Sequence, residues 1–183
     1  MIESVRSDAR RNREKLLEAA TAAFAAAGGR PVSLESIARE AGVGIGTLYR
    51  HFPNREALVE AIYRTELADV AQAAAQLLER HPPRTALRSW MDRYASFVAA
   101  KRGMAESLHA MFDSGAMRAN ESRASISSAV DLMLRAGADD GSLRSDVQAD
   151  DVVSSLIGIF LASGSREQTG RLLDLLVAGV AGR

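Results

Sequence analysis

Cysteine is absent from this chain of 183 residues, which excludes disulfide bonds and thiolate metal sites and suits a reducing compartment. The opening residues, Met1-Ile2-Glu3-Ser4-Val5-Arg6-Ser7-Asp8, hold no apolar stretch able to act as a secretion signal. The longest apolar runs, such as Leu156-Ile157-Gly158-Ile159-Phe160-Leu161-Ala162, fall far short of the ~20 residues a membrane-spanning helix needs. A soluble, cytoplasmic protein with no membrane partner is therefore expected. Neither sign of charge is in excess, since 23 basic residues meet 23 acidic ones. Prolines are few (Pro31, Pro53, Pro82 and Pro83), and each falls where a helical pattern starts or stops. Strand-like alternation of β-branched residues is missing, and so is any internal repeat.

What is present is 47% apolar residues, ample for a sizeable core. Apolar spacings of three and four recur throughout, so the chain reads as all-α. Charge is unevenly placed. Residues 1–55 hold nine basic against six acidic residues, a net of +3, and residues 56–183 hold 14 against 17, a net of −3. A basic head on an acidic body directs a polyanion to one end of the chain.

About nine helices are predicted. The first runs over 8–27 with Leu16, Leu17, Ala20, Ala23, Phe24 and Ala27 as its apolar stripe and Gly28-Gly29 as its stop. Ser33 caps a short second helix through Ala41, Gly42-Val43-Gly44 turns, and a third covers 46–52. Asn54 caps a long fourth helix over 55–80, which ends before His81-Pro82-Pro83. The rest divides into helices near 84–101, 103–113, 118–137, 149–163 and 167–181, with 138–146 as the clearest loop. The expected domains are 1–54, a three-helix head, and 55–183, a helical body entered through the connecting helix 55–80.

The informative stretch is residues 33–52. Two short helices around a glycine turn make a helix-turn-helix, whose second helix enters the DNA major groove with its N-terminal residues nearest the bases. Such pairs also occur as plain helical packing. Here, however, Ile37, Leu48 and Phe52 can pin the pair to the first helix, while Thr47, Tyr49, Arg50 and His51 crowd donors and cations into five positions. That set suits phosphate and base-edge contacts better than a solvated face.

These residues also resemble the TetR family of bacterial regulators. The likeness runs through Leu17-Glu18-Ala19-Ala20, Phe24, Gly28, Ile37-Ala38, Ala41-Gly42-Val43, Gly46-Thr47-Leu48-Tyr49-Arg50-His51-Phe52-Pro53 and Arg55-Glu56-Ala57-Leu58. The family often has Lys where this chain has Arg55, which keeps the charge. The resemblance implies that Ser33, Tyr49 and His51 contact phosphates. Thr47 and Arg50 would lie deepest in the groove, with Gly44, Ile45 and Gly46 leading in. Arg50 could read a guanine or grip a phosphate. Arg55 would add its charge to a helix N-terminus facing the DNA backbone. Arg6, Arg10, Arg11 and Arg13 either reach phosphates or form a solvated basic face.

In the body, Val153, Leu156, Ile157, Phe160 and Leu161 form one stripe, and Leu172, Leu173, Leu175, Leu176, Val177 and Val180 another. These stripes are either core or, as the resemblance implies, a dimer interface built chiefly from Val153, Leu156, Ile157, Phe160, Leu172, Leu176 and Val180. Gly158, Ala162, Ala178 and Gly179 would allow close approach there. Trp90, Met91, Tyr94, Phe97, Met104, Leu108, Met111, Phe112, Met117 and Met133 gather in the middle of the body. They are either ordinary core or an adaptable apolar pocket for an unknown, largely apolar effector, lined by Trp90, Tyr94, Phe97, Met104, Leu108, Met111, Phe112 and Met133. The histidines (His51, His81, His109) are not paired at a metal-binding spacing, and His109 reads as a flank residue. No GxSxG, P-loop, His–carboxylate or dinucleotide signature occurs, so neither an enzyme nor a cofactor is expected. The expected protein is a homodimeric transcriptional regulator that binds a pseudo-palindromic operator in double-stranded DNA and is released as a repressor by a small molecule.

Overall fold

A computed structural model describes every residue except Met1, Gly28, Gly29, Gly103, Ser114, Ala116, Met117, Arg118 and Arg183, and only the backbone of 2–6, Arg102 and Ala119. The expected stop at Gly28-Gly29, the side chain of Arg6 and Met117 thus lie outside the described residues. Among those described there are nine α-helices and no strand: α1 (Ile2–Ala27), α2 (Leu34–Glu40), α3 (Ile45–His51), α4 (Arg55–Leu78), α5 (Pro83–Arg102), α6 (Ala105–Asp113), α7 (Ala119–Asp139), α8 (Ala149–Ala162) and α9 (Arg166–Gly179). The all-α reading holds.

The caps explain why the boundaries were legible. The Ser33 hydroxyl accepts from the Ser36 N–H at 3.1 Å, and the Asn54 side chain accepts from the Ala57 N–H at 2.8 Å. Most ends differ by only one or two residues, as where α4 stops at Leu78 rather than 80, α6 starts at Ala105 rather than 103 and α9 stops at Gly179 rather than 181, and two differences have a physical reason. Helix α1 starts at Ile2 rather than near 8, because residues 2–7 contain neither proline nor glycine to stop it. Helix α7 continues to Asp139, past the expected loop start at Ala138. Gly137 does not end it. Leu143 packs where a Cβ of Gly137 would stand, so this glycine serves close packing, and the chain turns at Gly141 with φ +78°.

The chain divides into two compact units, Met1–Thr65 with Ala99–Met117, and Glu66–Val98 with Arg118–Arg183. The first unit buries Leu16, Ala20 and Phe24 of α1, Ile37 and Ala38 of α2, Leu48 of α3, Leu58 and Ile62 of α4, and Leu108 of α6. The second buries Trp90, Met91, Val130, Met133, Val153, Leu156 and Leu173. Its buried indole donates to the Val70 carbonyl at 2.8 Å, so the largest core side chain leaves no polar atom stranded. Arg88 of α5 lies 2.6 Å from both Asp92 and Asp174, tying α5 to α9. The end of α9 is clasped by the loop between α7 and α8. Arg144 N–H donates to the Val180 carbonyl and Gly182 N–H to the Ser142 carbonyl, both at 3.0 Å.

The α2–α3 turn is set by one residue. Gly42 has φ +66°, and the Gly42 and Val43 N–H groups donate back to the Arg39 and Ala38 carbonyls at 3.1 and 3.0 Å. This is the paired closure that a left-handed residue after a helix permits. A Cβ at Gly42 would meet nothing within 4 Å, so a substitution here costs conformational energy alone. Gly42→Ala should therefore lower stability by about 1 kcal/mol, read as an earlier urea midpoint. An unchanged midpoint would mean that the turn adopts another conformation.

Candidate nucleic-acid interface

Helix α3 has only seven residues, with Gly44 as its N-cap in extended conformation. The Gly44 carbonyl accepts from the Thr47 and Leu48 N–H groups at 2.8 and 3.2 Å. Leu48 is wholly buried and Phe52, just past the helix, is nearly so. At 3.6 residues per turn, that inward anchor places Gly46 and Arg50 on the opposite face. Ile45 and Tyr49 occupy one flank, Thr47 and His51 the other. Tyr49 is 46% exposed and Ile45 38%. Arg50, Ser33, Gly44 and Gly46 are exposed, whereas Thr47 and His51 are half-buried. No atom stands within 4 Å of where a Cβ on Gly44 or Gly46 would be, so a surface could approach the backbone there. The surface offers a phenol, a guanidinium, an imidazole and a hydroxyl around bare backbone. Phosphate oxygens and base edges are what such a set can bind.

Two arginines of this unit make contacts that sequence reasoning missed. Arg55 is half-buried. It donates to the Val32 carbonyl at 2.6 Å, and its guanidinium lies 5.1 Å from the centre of the Phe24 ring. It thus braces the segment leading into α2 as well as carrying charge. Arg13 lies over the Phe52 ring at 5.3 Å, holding α1 to the end of α3. Nothing in residue spacing announces either contact, since the partners are far apart in sequence. Two further arginines of α1 are partly neutralised: Arg11 pairs with Asp8 at 2.7 Å and Arg10 with Glu14 at 3.6 Å.

The residues read as a ligand pocket are divided between the units. Met104, Leu108, Met111 and Phe112 belong to the first, and Trp90, Tyr94, Phe97 and Met133 to the second. In the second, Trp90 and Tyr94 stack at 5.3 Å, Tyr94 and Phe97 at 6.1 Å, and Phe160 of α8 meets Tyr94 edge-on at 5.5 Å. In the first, Tyr63 and Phe112 meet edge-on at 6.1 Å, and the Lys101 ammonium sits 4.9 Å from the Tyr63 ring centre. Burial holds that ammonium below the ordinary lysine pKa. Val153, Leu156 and Phe160 of α8, and Val180 just past α9, lie in the chain's own core, while Leu172 and Leu176 are half-buried. The exposed apolar side chains there are Leu161 (83%), Leu175 (68%) and Ile157 (38%). A groove of about 500 Å³ lies along α9, bordered by Gln168, Arg171, Leu172, Asp174 and Leu175. Among the described residues, no cluster of three metal-ligating side chains occurs and no helix is long and apolar enough to cross a membrane.

Residues 16–62 match the bacterial regulatory proteins of the tetR family, and residues 82–182 match the C-terminal domain of SbtR-like transcriptional regulators. Among solved structures, the chain is similar to a TetR transcriptional regulator from Streptomyces coelicolor at 44% identity and TM-score 0.83, covering 93% of this chain and 98% of that one. A TetR transcription regulatory protein from Mycobacterium vanbaalenii is 30% identical, with TM-score 0.75 and coverage of 97% and 99%. An HTH-type transcriptional regulator from Staphylococcus aureus is 38% identical over 63 residues, 34% of either chain. The chain thus matches about a third of the length of its curated relatives.

The contacts of Arg55 separate two kinds of cation. Arg55→Met removes a charge-assisted bond to the Val32 carbonyl and should cost about 1–2 kcal/mol in urea unfolding. Arg50→Met, on an exposed face, should stay within about 0.5 kcal/mol of the parent. Equal stability of Arg55→Met and the parent would show that the brace contributes nothing.

Proposed function

The chain belongs to the TetR family of bacterial regulatory proteins, and from that premise we propose that it is a homodimeric, sequence-specific DNA-binding repressor released from its operator by a small molecule. The observation that carries the DNA-binding part is the outer face of α3, where Tyr49 and Arg50 are exposed while Leu48 behind them is fully buried. Thr47 and Arg50 lie in the groove, and Ser33, Tyr49 and His51 contact phosphates, with Gly44, Ile45 and Gly46 at the leading end. Arg55 braces the site and adds positive charge.

A single seven-residue helix reads few bases, so a two-fold pair on a pseudo-palindrome is the economical solution. The exposed apolar residues Ile157, Leu161 and Leu175 favour α8 and α9 as the pairing surface. Gly158 and Gly179, with open space where a Cβ would stand, suit close helix approach. The stacked Trp90, Tyr94 and Phe97 suit an apolar effector. Helix α4 is 24 residues long, about 36 Å at 1.5 Å per residue. It contributes to both compact units, as α5 also does, but it alone of the two follows directly on α3, which favours it as the element through which an effector would alter the head. A coupling of about 1–3 kcal/mol suffices for release.

Gel shifts on DNA flanking the gene test the DNA-binding reading. Arg50→Ala should lose sequence-specific binding, by tenfold or more if the guanidinium reads a base (~1–3 kcal/mol per contact). His51→Ala should weaken binding evenly across sequences and lower the salt dependence by about one phosphate contact per site. Full operator affinity in Arg50→Ala would remove that residue from the interface.

Sedimentation at micromolar concentration tests the dimer. The parent should sediment as a dimer, and Leu161→Glu with Leu175→Glu as a monomer whose circular dichroism stays helical, since both side chains are exposed. A monomeric parent overturns the dimer.

A further inference from the structure

Among the exposed large apolar side chains, Leu132 belongs to α7 and Ile157, Leu161 and Leu175 to α8 and α9, while Ile45 and Tyr49 share one flank of α3. Tyr49 carries a hydroxyl that a phosphate can use. Ile45 carries only carbon, is 38% exposed and takes no part in the buried set of Leu48 and Phe52. A β-branched residue is also a poorer helix former than Ala, Leu or Lys, so helix propensity gives no reason for it in a helix of seven residues. Its neighbours Gly44 and Gly46 have open space around them, which leaves the isoleucine as the single bulky group between Val43 and Thr47.

Phosphates and sugars offer an aliphatic side chain little, and the hydrogen-bonding edges of guanine, cytosine and adenine offer it nothing. The major groove carries one apolar group, the C5-methyl of thymine. We propose that Ile45 is a specificity-determining residue that packs on the methyl group of a thymine in each half-site. This rests on the reading of α3 as the groove-entering helix, whose N-terminal residues stand nearest the bases. It divides the labour on α3. Arg50 supplies the polar contact and Ile45 the apolar one, so a half-site requires a thymine that no hydrogen bond of the protein selects.

The test uses the full-length protein and a pool of random-sequence duplexes. The duplex that the parent enriches most is resynthesised with each thymine replaced in turn by deoxyuridine, which deletes only the methyl and leaves base pairing intact. One thymine per half-site should prove methyl-dependent, with affinity falling about fourfold per half-site, the worth of one buried carbon group. In Ile45→Ala the same replacement should change affinity by less than twofold, and Ile45→Val should keep most of the dependence. Melting curves identify any variant that misfolds, and absence of methyl dependence in the parent overturns the assignment whatever the variants do. Enrichment without methyl dependence, or dependence that Ile45→Ala retains in full, overturns the assignment while leaving the DNA-binding reading intact. A pool that the parent does not enrich overturns both.

Discussion

Seven residues are too few to hold a helix in water, where isolated helices need roughly 12–15 residues even to be marginal. Helix α3 therefore exists only because its inner side chains are buried, and the rest of the head depends on that constraint. Leu48 and Phe52 provide the anchor, each stabilising by about 1.5–3 kcal/mol if fully transferred from water. The surface they bury against is α1 and α2, since α1, α2 and α3 pack pairwise. Arg13 adds a lid over the Phe52 ring. The outer face can then carry side chains chosen for a ligand, because none of them is needed for folding.

The second unit meets a different requirement, that of keeping long helices in register while satisfying their polar groups. It does so with a few directional contacts at defined places. The Trp90 indole fastens α5 to a carbonyl of α4, and Arg88 joins α5 to α9 through Asp174. At the far end Arg144 holds Asp146 with two short contacts, 2.9 and 2.7 Å. The guanidinium keeps that exposed carboxyl below its ordinary pKa. The same arginine reaches the Gly179 carbonyl at 3.3 Å, so the loop before α8 and the last turn of α9 share one cation. The termini of α8 and α9 are therefore placed by polar contacts, and their apolar faces by burial.

Much of this was legible in the sequence because it is local. Ser33, Asn54, Gly42 and the prolines act within a few residues, so caps, turns and helix order follow from spacing alone. The inward set of the head, Leu16, Phe24, Ile37, Leu48 and Phe52, follows from periodicity, and all five are buried. What spacing could not divide was the wide apolar stripes of α8 and α9. Val153, Leu156 and Phe160 face the chain's own core, whereas Ile157 and Leu161, one residue round the helix, do not. Both groups look alike in sequence, because a stripe wider than one core-facing side has no mark where the core ends. Gly137 shows the same limit. The expected helix ends at this residue, and only the packing of Leu143 against it explains why a glycine stands inside the helix.

The arginines of the head show why charge totals are a poor guide to a binding surface. A net of +3 over residues 1–55 treats them as equivalent. Their surroundings do not. Arg10 and Arg11 each face a carboxylate on an adjacent turn. Arg13 covers Phe52, and Arg55 is bound to the Val32 carbonyl and lies on Phe24. A cation engaged in this way must break or share a contact before it can grip a phosphate, which lowers what it contributes to DNA affinity. Arg50 differs: it is exposed on the face opposite a fully buried leucine, on a helix otherwise edged by glycine. Affinity through counterion release scales with phosphates neutralised, not with arginines present. The side chains of α3 that stand clear of the fold beside bare backbone are Arg50, Tyr49 and Ile45, one cation, one phenol and one hydrocarbon, a set whose chemistry the net charge of the head does not register.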